Sequence, residues 1–393
     1  MVYHFGRFAA ASCWRFHAWS WQRCFATADL AKWQRLCSRL MQLQGRIRYP
    51  PLKSITVGDE TYHLPLKAKD SAPQKPTQAE LEYMAGFFDG DGCVSMEKSS
   101  GKISLKITQN VDSAGVLLYF RDRLAGGVGM GCCRTGRQKA CLHWQLYGSQ
   151  PRHAAGLLSQ VPSMKQAQLL IAAKRVAKTH RGEVAEQLSR FKQRNHRPNR
   201  LRCTWPYFAG FFDAEGSVGV DALTGGLHLE VWQVNPFVLE HLLRFLHQDG
   251  LKSWHFYQGN SCAKLRCYET ATCKRTLERL LKNGLLVKKK QAELALSITS
   301  KNYRQVREAI MSHNGWHQRY RRLDEEGLDR AKEIQVLQRN LLRLSCTEKS
   351  QLLEGKIRDL QAEHIFQKLV SKCRLLRKDI RSSLSEGAFM IPL

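Results

Sequence analysis

The sequence predicts an α+β fold in which one unit is built twice. The first observation is a nine-residue stretch, Met84-Ala85-Gly86-Phe87-Phe88-Asp89-Gly90-Asp91-Gly92, that returns as Phe208-Ala209-Gly210-Phe211-Phe212-Asp213-Ala214-Glu215-Gly216. The second acids, Asp91 and Glu215, lie 124 residues apart, and an internal repeat is weighed before any shorter motif. The second observation is that each copy reads as the end of a helix. The third is that an alternating strand, a helix, a hairpin and a closing helix follow each copy in the same order.

Thr77-Gln78-Ala79-Glu80 has the form of a capping box that starts the first helix. Thr204 serves as N-cap of the second, with Pro206 tolerated in the first turn. Gly92 and Gly216 suit the left-handed position that ends a helix. Ala85-Gly86 and Ala209-Gly210 leave a smooth face on which another backbone can lie, and the other copy is the natural partner. Packed so, the helices bring Asp91 and Glu215 to one edge. Two like charges held close are costly, and they persist where a divalent cation with a taste for oxygen ligands, such as Mg²⁺, bridges them. Metals shared between carboxylates activate water and stabilise a leaving oxygen in phosphodiester cleavage. The competing reading, two solvated residues after a helix, does not explain why both acids recur.

The paired stretches resemble the motifs of the LAGLIDADG homing endonucleases in their single-chain, two-motif form, over about residues 76–300. Met84 and Phe208 replace the leading leucine, and Glu215 keeps the carboxylate of the second copy. The resemblance implies two pseudo-symmetric αββαββα repeats whose four-stranded sheets form a DNA-binding saddle, with helical extensions at both ends. It implies that Asp91 and Glu215 bind catalytic Mg²⁺ or Mn²⁺, with the adjoining Gly90 and Ala214 as further metal contacts. The implied segments are an N-terminal extension (1–75), repeat 1 (76–180), a basic linker (181–203), repeat 2 (204–300) and a C-terminal extension (301–393).

Lys and Arg number 62 against 34 Asp and Glu, a net charge of +28 over 393 residues. That excess fits a polyanion, although an anionic membrane surface would attract it equally. No run of about twenty apolar residues suggests a membrane span. Thirteen cysteines include no CxxC pair. Cys132-Cys133 and Cys141-Leu142-His143 read as strand residues rather than a zinc site, and the whole suggests a reducing compartment.

From the N-terminus, Arg7, Arg15 and Arg23 precede the first acid, Asp29, as in an organellar transit peptide. A retained basic, aromatic arm is the other reading, and a nuclear location the alternative address. Leu30, Trp33, Leu36, Leu40 and Leu43 predict an amphipathic helix over 29–46, and 51–75 reads as an irregular linker. Ile103, Leu105 and Ile107 alternate with polar residues, as do Leu227, Leu229 and Val231. Both strands end on a glutamine, Gln109 or Gln233, a position that the resemblance puts near the metals.

Helices around 116–124 and 239–246 lead into hairpins. Lys106, Arg134, Arg137, Lys139, His143 and Gln145 in the first copy, and His228, Glu230, Lys264 and Arg266 in the second, are of the kinds that read base edges in a major groove. Each closing helix contains Lys-Gln-Ala, at 165–167 and 290–292. The family commonly places a basic residue two positions before that triplet. Here this is Ser163 in one copy and Lys288 in the other, which suggests unequal centres. Lys288 either stabilises charge developing on the phosphate or belongs to a basic run that merely touches phosphates. In the linker, Arg194 and Arg197 among others suit a phosphate backbone. Ile334, Leu337, Leu341 and Leu344, then Leu353, Ile357 and Leu360, predict a helical hairpin packed on the core or on a protein partner.

The expected function is a monomeric double-strand DNA endonuclease that cuts across the minor groove and leaves 3′ overhangs. An RNA-binding splicing cofactor acting on structured intron RNA, and a nucleic-acid binder that has lost cleavage, are the alternatives on the same scaffold. No membrane partner is expected.

Overall fold

The computed structural model describes residues 27–393 except 69–72, 98, 137, 149, 175–177, 194–195, 199, 314–318, 321, 345–346 and 393. The arginines proposed for a transit peptide therefore lie outside the described residues. The chain forms two compact units, one of Pro50–Arg134 and Lys139–Asn314, the other of Met1–Tyr49, Thr135–Gln138 and Gly315–Leu393.

In the second of these, α1 (Thr27–Arg46) continues into β1 (Ile47–Arg48). The remaining unit-forming elements come from the far end of the chain: α12 (Glu325–Leu341), the 39-residue α13 (Thr347–Ser385) and β12 (Phe389–Met390). β1 and β12 pair antiparallel, and Arg46 donates two hydrogen bonds to the Ile391 carbonyl. A small core of Cys37, Leu40 and Ile47 meets Cys373, Leu376 and Ile380. Buried Asp379 accepts a bidentate Arg319 at 2.8 and 2.9 Å and the Tyr320 hydroxyl at 2.8 Å, so the buried charge is paired.

The larger unit carries the repeats. It begins with a hairpin, β2 (Ser54–Val57) and β3 (Glu60–His63), where an irregular linker was expected. The difference lies in the two-residue turn: Gly58 adopts a φ of +61°, which closes short strands tightly. Repeat 1 then runs α2 (Gln78–Asp91), β4 (Gly92–Met96), β5 (Ile103–Asn110), α3 (Ala114–Leu124), β6 (Gly127–Cys132), β7 (Cys141–Leu146) and α4 (Gln150–Leu158), followed by α5 (Gln166–Ala173). A helix, α6 (Arg181–Arg190), occupies half of the expected linker, with Leu188 buried beneath it. Repeat 2 runs α7 (Trp205–Glu215), β8 (Gly216–Val220), β9 (Leu227–Gln233), α8 (Pro236–Gln248), β10 (Trp254–Gln258), β11 (Ala263–Cys267) and α9 (Thr270–Lys282), followed by α10 (Lys289–Leu296) and α11 (Tyr303–His313).

Each repeat is thus an αββαββα unit. The sheets are antiparallel, ordered β4-β5-β7-β6 and β10-β11-β9-β8. Ile103, Leu105 and Ile107 on β5, and Leu227, Leu229 and Val231 on β9, turn into one continuous core, as their alternation requires. The opposite sheet faces carry the polar partners. Among the described residues every cysteine is a free thiol, and no helix is long and apolar enough to cross a membrane.

Candidate metal and nucleic-acid site

The capping box forms at Thr77 and Glu80, and the Thr204 hydroxyl accepts from the Tyr207 N–H with Pro206 in the first turn. From there α2 and α7 run against each other with almost no space between backbones. A Cβ on Gly86 would collide with the Tyr207 carbonyl, and one on Gly210 with the Tyr83 carbonyl. Lower down, a Cβ on Gly90 would strike Ala214 and come within 3.0 Å of the Glu215 Cγ. These approaches bring the acids that end the two helices together.

The expectation for Gly92 and Gly216 is corrected. Both are extended, with φ of −77° and −79°, and lead straight into β4 and β8. Glycine is required there by space, because a Cβ would collide with the Phe88 or Phe212 ring of the preceding turn.

Gln109, at the end of β5, donates to Asp91 Oδ2 at 2.5 Å; Gln233, at the end of β9, donates to Glu215 Oε1 at 3.1 Å. Burial pushes both carboxyls above their ordinary range. For Glu215 the charge of Asp91 adds to that push. Two lysines oppose it crosswise. Lys288 of repeat 2 is the stronger cation acting on Asp91, and Lys165 of repeat 1 the stronger acting on Glu215.

Lys165 corrects the sequence-based pairing of Ser163 with Lys288. Lys165 immediately precedes α5 and Lys288 immediately precedes α10. The backbone N–H groups of Met164 and Lys165 bind Asp89 at 2.7 and 2.8 Å; those of Leu286, Val287 and Lys288 bind Asp213 at 2.7–3.1 Å. The Lys165 ammonium donates to the carbonyls of Phe88, Gly90 and Gly92, and that of Lys288 to the Asp213 carbonyl. Each cation therefore caps the negative end of its motif helix. Burial lowers the pKa of both lysines against the upward pull of Asp89 on Lys165 and of Asp213 on Lys288. Ser163 is fully buried, and its hydroxyl has no hydrogen-bond partner. The two centres are matched, not unequal in this respect.

Asp89 and Asp213, with Tyr83 and Tyr207, complete the frame and were missed. The Tyr207 hydroxyl donates to Asp89 Oδ2 at 2.6 Å and the Tyr83 hydroxyl to Asp213 Oδ2 at 2.7 Å. Each buried aspartate thus ties its own closing segment to the other repeat. Both pairs recur with the motif's own spacing, a signal sufficient to find them.

The donor set suits Mg²⁺ rather than a metal that needs an all-protein cage. Asp91 and Glu215 offer two carboxylates, and the preceding Gly90 and Ala214 lie on the same helix turns. Among the described residues no group of three or more His, Cys, Asp and Glu side chains is placed to hold a metal. Mg²⁺ is held by one or two carboxylates plus waters and substrate phosphates, which this edge can supply. A cavity of about 440 Å³ opens beside it, lined by Gly90, Gly92, Lys165, His196 and Gln233 among others.

On the first sheet, Lys106 pairs across to Gln145 and Thr108 to His143, with Gly127 and Gly129 beyond them on β6. Burial, then the charge of Lys106, lowers the pKa of His143. Lys139 is ion-paired with Asp112, and Arg134 is half-buried in the β6–β7 loop. On the second sheet, Arg266 is ion-paired with Glu230 at 2.6 Å, so those two enter as a unit. Burial, then Arg266, lowers the pKa of His228. The exposed Arg197 lies over the Phe237 ring, 5.8 Å from its centre. Arg137 and Arg194 lie outside the described residues.

No family model and no curated protein matches the chain. Solved structures do. The LAGLIDADG meganuclease I-AabMI bound to uncleaved DNA aligns at 17% identity and a TM-score of 0.44, over 59% of this chain and 97% of that one. The LAGLIDADG homing endonuclease I-GzeII in complex with its DNA target aligns at 13% identity and a TM-score of 0.46, over 60% and 99%. I-CpaMI bound to uncleaved DNA aligns at 13% and 0.40, over 59% and 97%. The paired motifs and the twice-built αββαββα unit make this chain similar to the LAGLIDADG homing endonucleases.

Proposed function

We propose that the protein is a divalent-metal-dependent endonuclease that hydrolyses phosphodiester bonds in both strands of duplex DNA. One observation carries this reading: two half-buried acids, Asp91 and Glu215, end helices whose backbones touch, and each is gripped by a strand-end glutamine. An arrangement that concentrates negative charge is poorly suited to a polyanion unless a cation sits between them. Bound Mg²⁺ supplies Lewis-acid activation of the phosphate and of the attacking water.

The chain's own residues do the rest. Asp91 and Glu215 hold the cation, with the adjoining Gly90 and Ala214 at hand. Gln109 and Gln233 fix the carboxylate rotamers, as outer partners of metal ligands do. Lys165 and Lys288 balance the acids of the opposite repeat and anchor the motif carbonyls, so the edge keeps its geometry before substrate arrives. Lys106, His143 and Gln145 on one sheet and His228, Lys264 and Arg266 on the other face the duplex, and Arg197 meets its backbone. An organellar location agrees with the arginine-bearing N-terminal sequence.

The test is Mg²⁺-dependent cutting of a randomised duplex DNA library by the full chain, beside Asp91→Asn and Glu215→Gln proteins. The reading expects discrete sites cut by the wild type alone. Equal cutting by all three proteins, or none by a folded wild type, would overturn it.

A further inference from the structure

The outer face of the second sheet carries a row that the first sheet lacks. Tyr257, Lys264 and Trp232 are direct neighbours across β10, β11 and β9. The Lys264 ammonium lies 4.8 Å from the centre of the Trp232 ring and 5.4 Å from that of Tyr257. One alternation along, the Arg266 guanidinium lies 3.9 Å from the centre of the Tyr268 ring. Trp232, Tyr257 and Tyr268 are 40, 42 and 50% exposed. The matching row of the first sheet is Thr108, His143 and Gly129, with no counterpart of Trp232 or Tyr257; only Tyr268 has one, the exposed Tyr147.

Large rings left open on one sheet face mark a surface that something covers. The cations between them select what that is. Arg266 already has Glu230 as its partner, but an apolar protein patch would leave the Lys264 ammonium buried without a counter-charge, whereas a nucleic acid brings a ring for each ring and a phosphate for that ammonium. Within a duplex the base faces are stacked on one another, so the grooves present only edges. Flat aromatic side chains are matched by unpaired bases. RNA displays these at equilibrium in loops, bulges and ends, where bases stack on aromatic side chains and on arginine planes.

We propose that Tyr257, Lys264 and Trp232, with Arg266 and Tyr268, form a stacking site for unpaired bases of RNA on the second sheet. The site goes beyond the nuclease reading and needs no bound metal.

The test uses the full chain without divalent ions, at one fixed salt concentration. Fluorescence anisotropy measures binding to an unstructured 12-nucleotide RNA, to the DNA strand of the same sequence and to the corresponding DNA duplex. The wild type is expected to bind the RNA most tightly. Trp232→Ala and Tyr257→Ala should each weaken RNA binding by about tenfold or more, the range of one base–aromatic stack. Trp232→Phe and Tyr257→Phe should restore most of it, and duplex binding should change much less. The proposal is overturned if the alanine proteins bind RNA normally, if phenylalanine fails to rescue, if duplex binding falls in parallel, or if the DNA strand binds as well as the RNA. A Mg²⁺ cleavage assay on duplex DNA separates the two readings. Ring-dependent RNA binding without cleavage overturns only the nuclease, and cleavage without ring-dependent RNA binding overturns only the stacking site.

Discussion

At the ends of α2 and α7, each part of one repeat has a counterpart in the other. Asp91 answers Glu215, Gln109 answers Gln233, and Lys165 answers Lys288. Buried Asp89 and Asp213 even exchange tyrosines, each taking the hydroxyl of the opposite repeat. On the outer faces of the two sheets this correspondence stops. Thr108, His143 and Gly129 stand where the second sheet has Trp232, Lys264 and Tyr257, and Lys106 stands where it has Glu230. The helix ends share one edge, so a change in either copy disturbs both. On the proposed reading each sheet face would meet only its own stretch of nucleic acid, which leaves it free to diverge.

The matching half of this comparison breaks most forcefully at the glycines. Gly86→Ala and Gly210→Ala should each cost at least about 3 kcal/mol, the upper range of overpacking, because the added methyl meets backbone that cannot rotate away. Chemical denaturation should give similar losses for both. A large loss at one glycine and none at the other would show that the interface is not symmetric.

The lysines sharpen it next. Lys165→Met removes the donor to three backbone carbonyls, Lys288→Met the donor to one. The Phe88 carbonyl keeps the Gly92 N–H, but losing hydrogen bonds from a charged donor costs about 1.5–3 kcal/mol, so both variants should be less stable and Lys165→Met the more so. Equal unfolding midpoints would contradict that ranking.

Gln109→Ala and Gln233→Ala should leave folding nearly intact and weaken divalent-ion binding about 10–100-fold, the usual cost of losing a ligand's outer partner. Titration calorimetry with Mn²⁺ reads both.

The smallest effect concerns the starts of the motif helices, where the copies differ. Glu80 caps α2 and binds Arg123 at 2.5 Å; burial works against its charge, but the Thr77 N–H, Arg123 and the Thr77 hydroxyl outweigh burial and lower its pKa. Its stabilisation is present above the unfolded pKa of about 4.3 and is lost as pH falls through the lower folded value. Glu80→Gln should therefore cost about 1 kcal/mol near neutral pH, and the gap should close in acid. A gap that widened in acid would reverse the assigned sign.

Much of this organisation was legible in the residues, because period, caps and alternation are local signals. The helix starts at Thr77 and Thr204, the strand faces of β5 and β9, and the touching glycines all follow from spacing. The lysine pairing did not, and the reason is specific. The Lys-Gln-Ala triplets recur at a spacing of 125, the acids at 124, while the hydrogen bonds equate Lys165 with Lys288, a spacing of 123. A chance three-residue identity outcompeted a slipped register. Gly92 and Gly216 show a different limit: glycine after a helix has two causes, and only the neighbouring phenylalanine ring distinguishes lack of space from a left-handed turn. The core joining Cys37 to Cys373 pairs opposite ends of the chain, where no periodicity reaches. Alternation also gave each strand's outer face but not the register that sets Lys264 between Trp232 and Tyr257.

The central claim is that the two acids share a divalent cation across the helix interface. Direct binding of Mn²⁺ to the full chain, read by titration calorimetry on the wild type, Asp91→Asn and Glu215→Gln, tests it most directly. The account predicts that the wild type binds and that either single substitution removes most of the binding, since each acid belongs to a different repeat. Unchanged binding in both variants would contradict it.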